Sequence, residues 1–366
     1  RDLKPDGWRL ESPVKLRLLE RLRTAGTPLG EYVQGRFYYG IKTGLNEAFV
    51  VDRAVRDRLI AEHPSSEEVI KPFLRGRDVK RWRVEFADQY FIKIESSENK
   101  VHPWSGKPEN EAEKTFAKTY PAIHGFFDDM RKALIKRYDQ GKYFWELRSC
   151  DYWQEFDEPK VIVPAIQNKV NYAPDTAGFY SNDKTSIFIP TSVPFALAIT
   201  NSQVSGWITR QTFASKQGGF YEFKLMYVST LPIPPATPDQ QRCCERLTEA
   251  LIWLHGKGAA CRPKSGGQDL TPLPSDNAPH GLMTACFEQW LNGLVYELFF
   301  PDELHACNLK LFDETAKLNP PDLAKVTGSR KMAALQELFA KAGGRMGAMI
   351  EGLRKAAVVR IIAEVT

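Results

Sequence analysis

The hydrophobic pattern changes period several times along the chain. Apolar residues recur at helical spacing over Pro13–Thr24, predicting a short amphipathic helix, and a linker follows through Thr27-Pro28-Leu29-Gly30. β-branched and aromatic enrichment with Gly, Pro or Asn punctuation predicts strands at 32–39, 48–51, 89–94, 160–166, 185–189 and 219–224. Helical spacing returns over Arg53–Glu62, over 110–138 with a break before Pro121, and over 193–213. The proline-rich segment 231–238 suits neither a helix interior nor a central strand and reads as a boundary. After it, helices are predicted near 239–255, 283–299, 301–317 and 331–362, with the Gly/Pro/Ser-rich stretch 256–281 as a flexible loop or linker. The expected fold class is α+β: a mixed or antiparallel sheet domain with inserted helices, followed by an α-helical C-terminal region.

At 366 residues the chain is long enough for one large domain and a smaller one. Its formal net charge of +5 is mild, so a nucleic-acid surface must come from clustering. Basic clusters occur at 71–83, 131–137 and 341–360. The last two read as solvated helix faces. The first holds six Lys or Arg against one Asp, is broken by Gly76 after Pro72, and reads as a loop. Its cations alternate with Phe73 and Trp82, a mixture suited to phosphates and bases together. Six cysteines without a CxxC pair fit a reduced, cytoplasmic protein. No apolar stretch approaches the roughly 20 residues of a membrane span, and no signal-like start is present, so no membrane partner is expected.

Five blocks carry a resemblance: "GIKTGLNEAF", "IKPFLRGRDVKRW", "WELRSCDYWQEFDEPKVIVPAI", "FYSNDKTSIFIP" and "SKQGGFYEFKLMYVSTLPIP". In this order they resemble the TaqI-like C-terminal specificity domain of adenine-specific DNA methyltransferases and fused type II restriction–modification enzymes, over about residues 30–236. The resemblance implies three parts: a helix and linker at 1–30 leading from a catalytic module outside the chain, a target-recognition domain at 31–236, and a helical region at 237–366. It implies double-stranded DNA as partner, together with a methyltransferase module in the same or a companion polypeptide. S-adenosylmethionine is expected on that module and no cofactor on this chain. The start at Arg1 is in keeping with a piece of a longer polypeptide.

Three catalytic look-alikes fail on their chemistry. Residues 35–43 approximate a phosphate-binding loop, but Ile41 separates Gly40 from Lys42, and aromatic residues fill what must be a small-residue cradle. Asn319-Pro320-Pro321-Asp322 approximates the N-P-P-aromatic tetrapeptide of amino-methyltransferases, yet Asp322 cannot stack on an extruded base, and a helix-to-helix turn is the plainer reading. Glu158-Pro159-Lys160 approximates half of a metal-dependent nuclease site without a convincing partner Asp. It still supplies the alternative function, a DNA nuclease using Glu158 and Lys160. A second alternative is a protein-binding specificity subunit that does not touch DNA. The six histidines are scattered, and no metal site is expected.

Recognition is therefore expected on polar loops. Lys42, Thr43 and Asn46 around Gly44 either present a cation and backbone N–H groups to phosphate or satisfy a hairpin turn. Arg75, Arg77, Lys80 and Arg81 can grip phosphate or fork onto guanine, although Asp78 stands ready to pair with one of them. Gln167, Asn168 and Lys169, with Asn182 and Lys184, are candidates for base reading or plain turns. Lys216, Gln217 and Tyr221 flank a glycine pair that permits close approach to a duplex or a tight connection. No catalytic residue is expected in this chain.

Overall fold

A computed structural model describes residues 12–260 and 278–364; most of the expected 256–281 loop, and the start of the chain, lie outside the described residues. The chain is α+β, with a helical C-terminal region following the sheets. It forms two compact units. One comprises the described residues up to Gly35, Gln167–Val170, and those from Pro190 onward; the other comprises 36–166 and 171–189.

The second unit is built on two four-stranded sheets. The first has the order Ala173–Asp175, Lys160–Pro164, Thr185–Phe188, Phe37–Tyr39, all antiparallel. Its inner strand Lys160–Pro164 is buried throughout, which explains the apolar run Val161-Ile162-Val163. The other sheet has the order Tyr180–Ser181, Ile70–Leu74, Gln89–Ile92, Val50–Asp52; Tyr180–Ser181 pairs parallel and the others antiparallel. Helices Glu109–Thr119, Pro121–Asp128 and Arg131–Lys136 follow, the second beginning at Pro121 as the sequence predicts. They belong to a core rich in aromatic stacking: Phe116 on Trp145 at 5.0 Å, and Tyr143 on Trp145 at 4.9 Å. Glu146 is fully buried there, and accepts from Trp104 Nε1 at 2.8 Å and from the Ser97 amide at 3.1 Å, which offsets the cost of its burial.

The first unit is largely helical. Helix Pro238–Ala260 packs on Val193–Thr200 and on Ala278–Phe299. The carboxylate of buried Glu297 accepts from the Leu311 and Phe312 amides at 2.7 and 3.0 Å, capping helix Leu311–Leu318 from a distant position. At the end of that helix Asn319 takes a left-handed φ of 46°, and its side chain accepts from Arg246 at 2.7 Å. Asn-Pro-Pro is thus a helix terminus, and Asp322 pairs with Lys325 at 3.1 Å.

Several expectations are corrected. The segment after Gly26 is no linker: Thr27–Pro28 pairs antiparallel with Pro232–Ile233, and Leu29 is buried with its amide on the Leu231 carbonyl at 2.8 Å. The same pairing turns the proline-rich segment into a buried strand, tolerable because a two-stranded ribbon leaves its outer edge free of ladder bonds. The 71–83 block begins as a strand, Ile70–Leu74, before it becomes a loop. Helices predicted at 193–213 and 301–317 are each two helices, Val193–Thr200 with Gln203–Thr212 and Pro301–Ala306 with Leu311–Leu318.

Candidate nucleic-acid interface

Nine of the expected residues, Lys42, Thr43, Asn46, Arg75, Arg77, Lys80, Arg81, Asn182 and Lys184, fall in the second unit. Their loops are fastened together through the backbone. The Ile41 amide donates to the Ser181 carbonyl at 2.7 Å, and the Asn182 amide to the Leu74 carbonyl at 3.2 Å. A Cβ added at Gly76 would stand 3.0 Å from the Lys184 carbonyl, and the Ala165 amide donates to that same oxygen at 2.8 Å. Loops 40–46, 75–81 and 182–184 thus emerge side by side from the ends of strands.

Their side chains divide into those that build the loops and those left over. Thr43 is buried; its hydroxyl donates to Asn46 Oδ1 at 2.8 Å and accepts from the Leu45 amide at 3.2 Å. This is the local turn chemistry of a Thr beside a left-handed glycine, Gly44 having φ 70°. Arg75 forks onto Asp78 through Nε and Nη2, both at 3.0 Å, while Asp78 also accepts the Arg75 amide at 2.8 Å. The pair closes the turn Gly76–Asp78, and Asp78 is 5% exposed, so Arg75 serves the fold. Arg81 lies over the Trp82 ring at 5.0 Å. Lys42, Arg77, Lys80 and Lys184 are exposed. Among the described residues, the Lys42 and Arg77 side chains have no ion pair or hydrogen bond, Lys80 donates only to the Arg77 carbonyl at 2.7 Å, and Lys184 to neighbouring Asp183 at 3.2 Å.

Sequence reasoning missed what holds the first loop. Arg137, expected on a solvated helix face, is 6% exposed. Its guanidinium donates to the carbonyls of Thr43 at 2.6 Å, Phe144 at 2.9 Å and Asp139 at 3.0 Å, and also to that of Glu146, and it lies over the Phe49 ring at 4.4 Å. Burial lowers its pKa to about 10, which leaves it a cation at neutral pH. No local signal separates Arg137 from its solvated neighbours, because its partners are backbone carbonyls, which every residue carries, and one of them, that of Thr43, is distant in sequence.

The other six, Gln167, Asn168, Lys169, Lys216, Gln217 and Tyr221, fall in the first unit. Ser215–Lys216 and Phe220–Glu222 pair antiparallel there. Gln167 is buried, Tyr221 half-buried, and Asn168, Lys169, Lys216 and Gln217 are exposed. Lys216 and Lys224 both pair with Glu222, at 3.3 and 3.1 Å. Gly218 and Gly219 take φ 78° and 77°, so the glycine pair makes the tight turn that only glycine enters freely, and it sets Phe220 partly exposed beside Lys216.

The nuclease look-alike fails in three dimensions. Lys160 is fully buried and paired with Asp175, its directly opposite cross-strand neighbour, at 2.6 Å; burial depresses its pKa and Asp175 opposes that shift. Glu158 is exposed to solvent. A lysine sealed in the core against its own carboxylate cannot stand beside a metal held by Glu158.

Residues 71–233 match the model of the TaqI-like C-terminal specificity domain. The resemblance read from the five sequence blocks is borne out over this stretch. It contains Arg75, Arg77, Lys80, Arg81, Gln167, Asn168, Lys169, Asn182, Lys184, Lys216, Gln217 and Tyr221. No curated protein sequence matches the chain. Among solved structures it is similar to the type IIL restriction-modification enzyme MmeI in complex with DNA, at 14% identity and a TM-score of 0.45, over 83% of this chain. The chain spans 35% of that protein. Among the described residues no helix is long and apolar enough to cross a membrane.

Proposed function

We propose that this chain recognises a specific duplex DNA sequence for an adenine-specific (N6) methyltransferase or fused type II restriction–modification enzyme of the cytoplasm. One observation carries the reading: the match to a specificity domain includes two of three backbone-fastened loops that present Lys42, Arg77, Lys80 and Lys184 with little or no internal pairing. Cations left unpaired on a rigid scaffold suit phosphate contacts, which fix register on a duplex. The polar side chains between them, Asn46 and Asn182, suit base edges, and so do Asn168, Lys169 and Gln217 in the first unit. A methyltransferase module, in the same or a companion polypeptide, would hold S-adenosylmethionine and carry out the transfer, while this chain's residues select the site.

The test is selection from a pool of random duplexes by the full chain, followed by sequencing. Enrichment of one defined site supports the reading. Uniform recovery of all sequences, or no recovery, contradicts it.

A further inference from the structure

A cavity of about 430 Å³ opens in the second unit directly beside the fastened loops, within the roughly 300–1,000 Å³ range of small-molecule sites. Tyr39, Lys42, Arg148, Asp151, Tyr152 and Asp183 are among its lining residues. Its aromatic wall comes from the end of strand Phe37–Tyr39 and from Tyr152. Phe37 points into the core, and Tyr39, two residues on at the end of the strand, remains 53% exposed. Tyr152 is held by stacking on Tyr38 at 4.8 Å, and burial raises its pKa to about 12, so it remains a neutral phenol at physiological pH.

The cavity's polar groups have capacity to spare. Lys42 has no partner among the described residues. Arg148 is tied to Asp139 at 3.1 Å but is about half exposed. Asp151 accepts from Asn99 on Oδ1 at 2.8 Å, and its second oxygen has no partner among the described residues. An exposed aromatic face, an unpaired ammonium and a half-used carboxylate around one cavity match the three parts of a nucleotide: a flat ring, a phosphate, and an exocyclic amine.

Building on the proposed function, we propose that this cavity receives one unstacked nucleotide of the recognised DNA. Tyr39 stacks on the base, Lys42 meets its phosphate, and Asp151 accepts a hydrogen bond from an exocyclic amino group. Adenine, cytosine and guanine carry such a group and thymine does not, so the cavity selects against thymine.

The experiment titrates the full chain with the four deoxynucleoside 5′-monophosphates by calorimetry, with binding to duplex DNA measured on the same preparation. We expect dAMP, dCMP and dGMP to bind at least about fivefold more tightly than dTMP. Tyr39→Ala should weaken all four by about tenfold, in line with base–aromatic stacking worth roughly 1–3 kcal/mol, and Asp151→Asn should erase the discrimination. Lys42→Gln should weaken monophosphates and spare the corresponding nucleosides. Tyr39 and Lys42 are exposed, so circular dichroism of these variants should be that of the parent. No monophosphate binding at millimolar concentration, or binding indifferent to Tyr39→Ala, overturns the assignment even if duplex binding persists. Monophosphate binding of the expected pattern with no duplex binding overturns the DNA-recognition reading and leaves the nucleotide site standing.

Discussion

Gly40 lies against the Asn182 carbonyl so closely that a Cβ at position 40 would stand 1.9 Å from that oxygen. This approach lets the Ile41 amide reach Ser181 at 2.7 Å and seats loop 40–46 beside loop 182–184. Gly40→Ala must push the two loops apart. The expected cost is about 1–3 kcal/mol, as for overpacking elsewhere in a folded chain, measured by urea denaturation. If the fastening matters for binding, duplex affinity should fall even under conditions where the variant is fully folded. Unchanged stability and affinity would show that the loops are not mutually constrained.

Arg137 gives the second prediction. Arg137→Met keeps much of the apolar volume but strands the buried carbonyls of Thr43 and Phe144 and removes a donor from those of Asp139 and Glu146, the last still accepting from the Gly141 amide. Each buried polar group left without a partner costs about 1–3 kcal/mol, moderated where water can enter. A total loss of about 3 kcal/mol or more is expected in chemical denaturation. Loop 40–46 should also show faster amide hydrogen exchange than the rest of the second unit.

Glu113 predicts an acid dependence. Its carboxylate accepts from Arg131 Nη2 at 2.6 Å and from His124 at 3.0 Å, and these partners, Arg131 first, hold its pKa at about 2 against an ordinary 4.5. A depressed carboxylate stabilises the fold fully above its unfolded pKa, and the contribution is lost as pH falls from about 4.5 towards 2. Arg131 is partly exposed, so after allowing for solvent screening the contribution is about 1–2 kcal/mol. Glu113→Gln should lower stability at pH 7 by that amount and flatten the stability curve between pH 4.5 and 2. A variant with the parent's acid profile would remove this ion pair from the account.

Elements closed by local chemistry were legible in the sequence. Pro13–Thr24 carries Ser12 at its N-cap, accepting from the Lys15 amide, and Arg53–Glu62 carries Asp52, accepting from the Val55 amide. Ile70–Leu74 was not legible because Pro72 argues against a strand. The neighbouring strand Tyr180–Ser181 pairs only with Phe73 and Leu74, so Pro72 sits where that side of the ladder has no bond to lose. Lys160 read as a catalytic half-motif and Arg137 as a solvent-facing cation, and both proved to be buried, with partners supplied by tertiary contacts that no spacing reveals. Four of the five family blocks fall on the stretch that matches the specificity-domain model, and the first, at 40–49, lies outside it; the division between loop-building Arg75 and Arg77, which has no partner among the described residues, is set by three-dimensional contacts.

That division supplies the most direct test of the central claim, the salt dependence of duplex DNA binding by the full chain. Removing one cation that neutralises a phosphate should flatten the slope of log affinity against log salt by about 0.9. Lys42→Gln and Arg77→Gln together should therefore reduce it by roughly 1.8 with the denaturation midpoint unchanged. Arg75→Ala, which breaks the pair with Asp78, should lower the midpoint and leave the slope near that of the parent. Binding by the parent chain that is absent or insensitive to salt, or a parental slope in the folded double variant, would contradict the account.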